Sequence, residues 1–167
     1  KKTFVTMGKD PKDRHEVYPI TTQMLCMSIN ANGSILATGS ADSTIQLWDA
    51  ERDILITTMK SHSADVNGIK FGIGSNNNLC SVSSDRTLKI WDALERTYID
   101  TFYGHRDEGL DIDSINADDF ITSGKDEQVL VWKTEKQTQT IFSGHDYAID
   151  RVRTINSEYF LTGSQDG

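Results

Sequence analysis

The sequence predicts an all-β fold built from a unit of four short strands that repeats along the chain. Aspartates recur at separations of 43, 41 and 40 residues, at Asp42, Asp85, Asp126 and Asp166. A tryptophan follows each of the first three aspartates by six residues, and a small hydroxyl residue precedes all four by four residues. Between these marks apolar and polar residues alternate, as they do in half-buried strands. A period of about 40–45 residues is that of a propeller blade.

Turn signals such as Asn32-Gly33 divide each unit into strands. The expected strands are 24–30, 35–40, 44–49 and 54–59 in the first unit; 66–72, 79–83, 87–92 and 98–103 in the second; 110–115, 119–123, 128–133 and 138–143 in the third; and 149–155 and 159–163 in the fourth. Residues 1–7 are expected to be the last strand of a preceding blade, and residues 8–19 a polar connection. Blades then span 20–60, 61–103 and 104–143, with the first half of another at 144–167.

The recurring marks resemble those of the WD-repeat family. They combine a histidine after glycine or serine, the hydroxyl residue, the turn aspartate and a tryptophan that is usually followed by aspartate. The resemblance covers nearly the whole chain and implies a ring of four-stranded blades around a channel, usually seven. The chain would then be a partial arc of about three full blades plus parts of two others. We therefore expect the natural protein to extend beyond both ends, and the isolated arc not to be a stable monomer.

Two units depart from the family pattern. The first has Tyr18-Pro19-Ile20-Thr21 where the other units carry their histidine. The third has Trp132-Lys133 in place of Trp-Asp. The first departure is expected to weaken the polar network of its unit.

The candidate site residues are the histidine, hydroxyl, aspartate and tryptophan of each unit. Ser81, His62 and Asp85 have the residue types of a catalytic triad, but a triad occurs once, in a cleft. Here the set recurs at one spacing, and in the family pattern it forms a buried chain of hydrogen bonds. We therefore expect structural networks, no enzyme activity, no small-molecule substrate, and no metal or cofactor. The network residues are Thr38, Asp42 and Trp48; His62, Ser81, Asp85 and Trp91; His105, Thr122, Asp126 and Trp132; and His145, Thr162 and Asp166.

Charge and composition exclude other classes of protein. The formal net charge of −8 argues against a surface coated with cations for non-specific nucleic-acid binding, although one local basic patch is compatible with it. Cys26 and Cys80 lie in strand-like apolar runs and are expected to be free thiols. No apolar run approaches the roughly 18 residues of a membrane span, so no membrane partner is expected.

Candidate partner-binding residues follow from the family pattern, which places positions near the histidine and the turn aspartate on one surface. They are Asp65, Asn67, Glu108, Lys125 and Asp150. Acidic residues prevail there, which suits a basic peptide better than a phosphate backbone. Basic residues are scattered, and the candidates for RNA contact are Arg86, Arg106, Arg151 and Arg153.

Several segments narrow the resemblance to the WD-repeat subunits of the U3 small nucleolar ribonucleoprotein. They are LCMSI at 25–29, TFYGH at 101–105, Val-Trp-Lys at 131–133 and FSGHDYAIDRVRTINSEYFLTGSQDG at 142–167. This resemblance implies a scaffold in the nucleus and nucleolus that binds U3 small nucleolar RNA and other ribonucleoprotein or pre-ribosome proteins. Its role would be in pre-ribosomal RNA processing for the small subunit. The alternative is a general WD-repeat adaptor, such as a substrate receptor of a ubiquitin ligase.

Overall fold

The computed structural model describes residues 23–75 and 77–166, and all regular elements of this part are β-strands. The strands are β1 (Met24–Ile29), β2 (Ile35–Ser40), β3 (Thr44–Asp49), β4 (Ile54–Lys60), β5 (Val66–Phe71), β6 (Asn78–Ser83), β7 (Thr87–Asp92), β8 (Thr97–Tyr103), β9 (Gly109–Ser114), β10 (Asp119–Gly124), β11 (Gln128–Lys133), β12 (Thr138–Ser143), β13 (Ile149–Thr154) and β14 (Phe160–Ser164). Both ends of every strand predicted from residue 24 onward agree with these bounds to within one residue.

The strand predicted at 1–7, the connection at 8–19 and the segment Tyr18-Pro19-Ile20-Thr21 lie outside the described residues. In the described part of the chain, no helix is long and apolar enough to cross a membrane.

Consecutive strands form separate antiparallel sheets. The strands β1 to β4, β5 to β8 and β9 to β12 make three four-stranded sheets, and β13 pairs with β14. The first strands of successive sheets, β1, β5, β9 and β13, pack against one another. The strands β4, β8 and β12 lie at the opposite edges of their sheets. The sheets therefore stand side by side like the blades of a β-propeller, with their first strands innermost.

Apolar clusters fill the spaces between neighbouring sheets. Leu47 of the first sheet and Leu79 of the second are fully buried in one cluster, and Val82 and Phe120 belong to a second cluster between the next two sheets. A third cluster joins β10 and β11 to β13. Fully burying such a side chain contributes about 1.5–3 kcal/mol. In the second and third sheets, both faces of the central strands thus meet a neighbouring sheet.

The tight turns repeat as faithfully as the strands. In the turn between the second and third strands, the residue after the network aspartate has positive φ in all three full units: 65° at Ser43, 68° at Arg86 and 64° at Glu127. This left-handed conformation costs about 1–3 kcal/mol in a residue other than glycine. Each aspartate or its neighbours must therefore hold the turn in place.

Candidate functional site: the repeated networks and the surfaces around them

In the second sheet, the network side chains form a continuous chain of hydrogen bonds. His62 lies in the loop before β5, Ser81 in β6, Asp85 in the turn after β6, and Trp91 in β7. His62 Nδ1 is 2.8 Å from Asp85 Oδ2, and His62 Nε2 is 2.7 Å from Ser81 Oγ. Trp91 Nε1 donates to the same hydroxyl oxygen at 2.9 Å. The chain thus links a loop, a turn and two central strands.

The groups at the two ends of this series of hydrogen bonds determine where every proton lies. A carboxylate can only accept and an indole N–H can only donate. The Nδ1–H of His62 therefore donates to Asp85, and the Ser81 hydroxyl, which accepts from Trp91, donates its own proton to His62 Nε2. All of these groups are satisfied with a neutral imidazole. A buried polar group left unpaired would cost about 1–3 kcal/mol.

The third sheet repeats the same geometry. His105 Nδ1 lies 3.0 and 3.1 Å from the two carboxylate oxygens of Asp126, and its Nε2 lies 2.8 Å from Thr122 Oγ1. Trp132 Nε1 donates to that threonine oxygen at 2.7 Å. The backbone N–H of Arg106 also donates to Asp126, at 2.8 Å. The threonine therefore does in this sheet what the serine does in the second.

The fourth unit carries the same histidine hub nearer the solvent. His145 Nδ1 is 2.9 Å from both carboxylate oxygens of Asp166, and its Nε2 is 2.8 Å from Thr162 Oγ1. The side chains of His145 and Asp166 are 27% and 19% exposed, whereas those of His62 and Asp85 are 0% and 7% exposed. The fourth unit therefore repeats the histidine, aspartate and threonine part of the network.

In the first sheet, the described part of the network consists of two separate contacts. Trp48 Nε1 donates to Thr38 Oγ1 at 3.1 Å. Asp42 Oδ1 accepts from the backbone N–H of Thr44 at 3.1 Å and from its hydroxyl at 2.6 Å. The segment in which the other units place their histidine lies outside the described residues here, so the expected weakening of this network stays a prediction.

The network carboxyl groups have lowered pKa values. Burial alone would raise the pKa of Asp85, but hydrogen bonds from His62 and Thr87 outweigh it and hold the pKa well below its usual range. The pKa of Asp126 is lowered by the same balance, in which burial raises it and the hydrogen bond from His105 is the largest opposing cause. Both carboxyls are therefore ionised acceptors at neutral pH.

These networks are closed to a substrate. Ser81 and Thr122 have no exposed surface, and the side chains of His62 and His105 are 0% exposed. A nucleophile has to meet its substrate, whereas the polar atoms of these side chains are engaged with one another. Across residues 23–75 and 77–166, no three histidine, cysteine, aspartate or glutamate side chains are grouped as metal ligands would be. The networks can satisfy buried polar groups and tie the loops to the sheets.

The third unit lacks a contact that the other two make after the tryptophan. Asp49 Oδ1 accepts the backbone N–H groups of the next turn at 3.0 and 2.9 Å, and Asp92 Oδ1 does the same at 2.9 and 2.9 Å. Lys133 occupies the matching position and has no acceptor atom to offer. The departure from Trp-Asp therefore removes a cap from the turn that leads into β12.

The candidate partner-binding residues lie at or near the ends of the strands, on one side of the row of sheets. The loop before each first strand meets the turn after the second strand there, through backbone hydrogen bonds from Ser84 to Asp65 and from Lys125 to Glu108. Lys125 Nζ also lies 3.6 Å from Glu108 Oε1. Asp65, Lys125 and Asp150 are exposed. These side chains are thus available at the surface, although Lys125 and Glu108 offset each other's charge.

Asn67 differs from the other candidates because its amide is used inside the protein. Its Nδ2 donates to Ser84 Oγ at 2.9 Å and to the carbonyl of Gly109 at 2.7 Å. Since Gly109 begins the inner strand of the next sheet, Asn67 joins two blades. Its place in the structure is that of a link between blades.

The candidate RNA-binding arginines lie on different elements. Arg86 and Arg106 are exposed, the first in the turn after β6 and the second in the loop before β9. Arg151 and Arg153 lie two positions apart on β13, so their side chains point to the same side of the sheet. Arg153 forms an ion pair with Asp111 of β9, whereas the guanidinium of Arg151 contacts a neighbouring backbone carbonyl. The Arg153 side chain is therefore held by an ion pair with the neighbouring sheet, whereas the described contacts of Arg151 include no ion pair.

Two acidic residues of β9 form polar links between sheets that the sequence analysis missed. Asp111 accepts the backbone N–H of Val152 at 3.0 Å, and Asp113 accepts that of Thr154 at 2.9 Å. Asp113 also forms an ion pair with Lys70 of β5 at 2.8 Å. Burial raises the pKa of Asp113, but the contacts with Lys70 and Thr154 lower it further than burial raises it. The available signal was two acids at alternate positions of an otherwise apolar strand.

Comparisons with known proteins agree with this architecture. A family model described as WD domain, G-beta repeat matches residues 15–49 and 54–92. A protein of Arabidopsis thaliana named "U3 snoRNP-associated protein-like EMB2271" is 32% identical over 145 residues, which are 87% of this chain and 30% of the relative. The chain thus spans less than a third of that relative's length.

Two solved structures resemble the chain closely in three dimensions. The structure titled "Structure of U3-55K" has a TM-score of 0.85 and 34% identity, over 88% of this chain and 45% of that one. The structure titled "Crystal structure of RRP9 WD40 repeats" has a TM-score of 0.83 and 34% identity, over 86% of this chain and 44% of that one. Together with the recurring networks, these likenesses identify the chain as one built of WD40 repeats with the blade architecture of a β-propeller.

Proposed function

We propose that the protein is a non-catalytic scaffold subunit of the U3 small nucleolar ribonucleoprotein. In this role it binds U3 RNA and protein partners in the nucleolus during pre-ribosomal RNA processing for the small ribosomal subunit. The observation that carries the proposal is the likeness to the U3-55K and RRP9 WD40 structures, at 34% identity with TM-scores of 0.85 and 0.83. The name of the Arabidopsis relative points the same way.

The geometry of the site favours a scaffold over an enzyme. The residue types that could perform nucleophilic chemistry are buried and bonded to one another within the sheets. The exposed groups around the networks include single charges, such as Asp65 and Arg106 in loops and Asp150 near the start of β13. Charges of this kind suit the recognition of another macromolecule, for which they give specificity and faster association.

RNA contact by an acidic chain requires local cations, because the net charge of −8 repels a phosphate backbone. Among the candidates on β13, Arg151 has no ion pair among the described contacts, while Arg153 is already paired with Asp111. We therefore place more weight on Arg151 as an RNA contact. Replacing Arg153 would disturb the packing between two blades as well as any RNA contact.

The proposal is tested by crosslinking in cells. The full-length protein carries an affinity tag, is crosslinked to RNA with ultraviolet light and is purified under denaturing conditions, and the bound RNA is sequenced. Enrichment of U3 RNA over unrelated nuclear RNAs of similar length is expected. If U3 RNA is absent while ubiquitin-ligase subunits copurify under native conditions, the scaffold role in this ribonucleoprotein is wrong and the general-adaptor hypothesis replaces it.

A second experiment separates the two arginines. Arg151→Gln and Arg153→Gln are each compared with Arg52→Gln, because the Arg52 side chain is 76% exposed and lies in the turn between β3 and β4, at the opposite edge of the sheets. Each lost phosphate contact should lower the slope of log affinity against log salt by about one unit. Arg151→Gln is expected to weaken U3 RNA binding with an unchanged melting temperature, and Arg153→Gln to lower the melting temperature too. Identical slopes for Arg151→Gln and Arg52→Gln would exclude β13 as an RNA surface.

A further inference from the structure

The outer strands of the three four-stranded sheets differ in one feature of their backbone. In the first sheet, Leu47 pairs with Thr57 and Trp48 with Leu55, so that Ile56 is an extra, bulged residue of β4. In the second sheet Ile99 of β8 is bulged in the same way. In the third sheet β12 pairs with β11 in unbroken register from end to end. The outer edge of the third sheet is therefore a regular strand.

The cause of this difference is visible in the sequence. The spacing from the tryptophan to the next histidine is 14 residues from Trp91 to His105, but 13 residues from Trp132 to His145. The turns before β8 and β12 have equal length, since Asp92 pairs with the fifth residue after it, as Lys133 does. The missing residue is thus the bulge itself.

A regular outer strand is open to pairing with another strand. Every second residue of an edge strand points its N–H and C=O away from the sheet. Bulges and charged side chains are the usual protection of such edges. The strand β4 ends in Lys60 and β8 contains Asp100, in addition to their bulges, whereas β12 reads TQTIFS and has neither a charge nor a bulge.

We infer that the outer edge of β12 pairs in antiparallel fashion with β12 of a second copy of this chain. A twofold axis perpendicular to the sheet places residues of the same face opposite each other. If Ile141 of one copy lies opposite Ile141 of the other, Thr140 of each copy lies opposite Phe142 of the other copy. Pairs of β-branched and aromatic residues across strands are favourable, contributing roughly 0.2–1 kcal/mol each. The pairing continues one four-stranded sheet into that of the other copy.

Charges at the two ends of β12 favour a second copy of this chain as the pairing partner. At the end where β12 begins, the exposed Lys133 and Lys136 outnumber Glu135. At the end where it finishes, Glu127 and Asp146 are exposed, and the exposed Lys125 of the same turn is paired with Glu108. Antiparallel pairing brings the lysine end of each copy against the acidic end of the other. The strand itself carries no charge that its own copy would repel.

The edge stays available in a propeller of any size, because the fourth strand of a blade is the outermost. The contact is smaller than a standard interface of about 1,600 Å², so the dimer should depend on protein concentration. The inference is independent of the proposed function and concerns a different surface from the loops and β13. Loss of dimerisation and loss of RNA binding are therefore separate results.

The first test is a disulfide between copies of the full chain. Ile141→Cys is compared with Ile99→Cys, because the two isoleucines are 49% and 53% exposed on corresponding outer strands. The native thiols give a low background, since burial raises the pKa of Cys26 to about 12 and Cys80 is fully buried. Mild oxidation is expected to link Ile141→Cys into a covalent dimer several times faster than Ile99→Cys. Equal rates would overturn the inference.

The second test uses sedimentation velocity over a range of concentrations. Ile141→Lys, and insertion of one residue between Gln139 and Thr140 to restore the bulge, should both shift the chain to monomer. Ile99→Lys should sediment like the unmodified protein, and circular dichroism melts should be unchanged for all three. Phe142 is left intact because its ring packs on Phe160 at 5.4 Å. A dimer that survives Ile141→Lys, or an unmodified chain that is monomeric at every concentration, shows that β12 is not the interface.

Discussion

Replacing Asp85 by alanine removes the acceptor that holds the second-sheet network. Its carboxylate accepts from His62 Nδ1 at 2.8 Å and from the backbone N–H groups of Ser63 and Thr87, both at 3.0 Å. The Asp85 and His62 side chains are 7% and 0% exposed, so water cannot readily take the place of the carboxylate. A buried donor left unpaired costs about 1–3 kcal/mol. We expect Asp85→Ala to lower the free energy of unfolding by about 1–3 kcal/mol.

The assay is a urea titration of the full-length protein at pH 7, followed by circular dichroism. The midpoint should fall while the slope of free energy against urea stays the same. Asp85→Asn, which keeps one acceptor oxygen, should lie between the alanine variant and the unmodified protein. Asp65→Ala is the comparison and should cause a smaller loss, because its side chain is exposed in the loop before β5. Equal losses at Asp85 and Asp65 would refute the argument from buried hydrogen bonds.

Three other predictions concern stability. The pKa values of the network carboxyls are lowered in the folded state. Their contribution to the free energy of unfolding is therefore complete above about pH 4 and is lost as the pH falls further. Denaturant titrations between pH 7 and pH 2 will detect this loss. Glu127→Gly relieves a φ of 64° and should stabilise the protein by roughly 0.5–1 kcal/mol, whereas Glu135→Gly, in a turn position without positive φ, should not raise the melting temperature. Gly72→Ala places a Cβ 2.0 Å from the carbonyl oxygen of Ala117 and should cost about 1–3 kcal/mol, while Gly144→Ala, with open space around it, should leave the melting temperature unchanged.

The strands and their order could be predicted from the sequence because both depend on local patterns. Alternation of apolar residues defines a strand, and the recurring Asp85 and Trp91 define its place in the unit. The links between blades could not be predicted in the same way. Asp113 contacts Lys70 and Thr154, which are 43 and 41 residues away along the chain. Asp113 and Lys70 look like ordinary surface charges until the sheets are placed side by side.

The regular edge of β12 was hidden for a different reason. Its signal is a single absent residue between Trp132 and His145, and boundaries predicted from sequence are uncertain by more than that. Asn67 is a second example, because the family pattern places it at the surface and gives no sign that its amide joins β5 to the next blade. Its role in partner binding stays a prediction. In both cases the decisive fact is the register of one strand against another.

Residues that recur in each unit serve the folding of the protein, whereas residues that differ between units can make one unit bind differently from another. A network that is the same in each blade has the same structural role in each, so it cannot select a binding partner. Units differ where equivalent positions of the inner strands reverse their charge: Asp111 and Asp113 on β9 correspond to Arg151 and Arg153 on β13. Aspartate accepts hydrogen bonds and arginine donates them. The strand that packs against β9 must therefore offer donors, and β13 does so through the backbone N–H groups of Val152 and Thr154 and the guanidinium of Arg153. With an aspartate in place of Arg153, a carboxylate would face that of Asp111, so the blades that carry β9 and β13 cannot be exchanged.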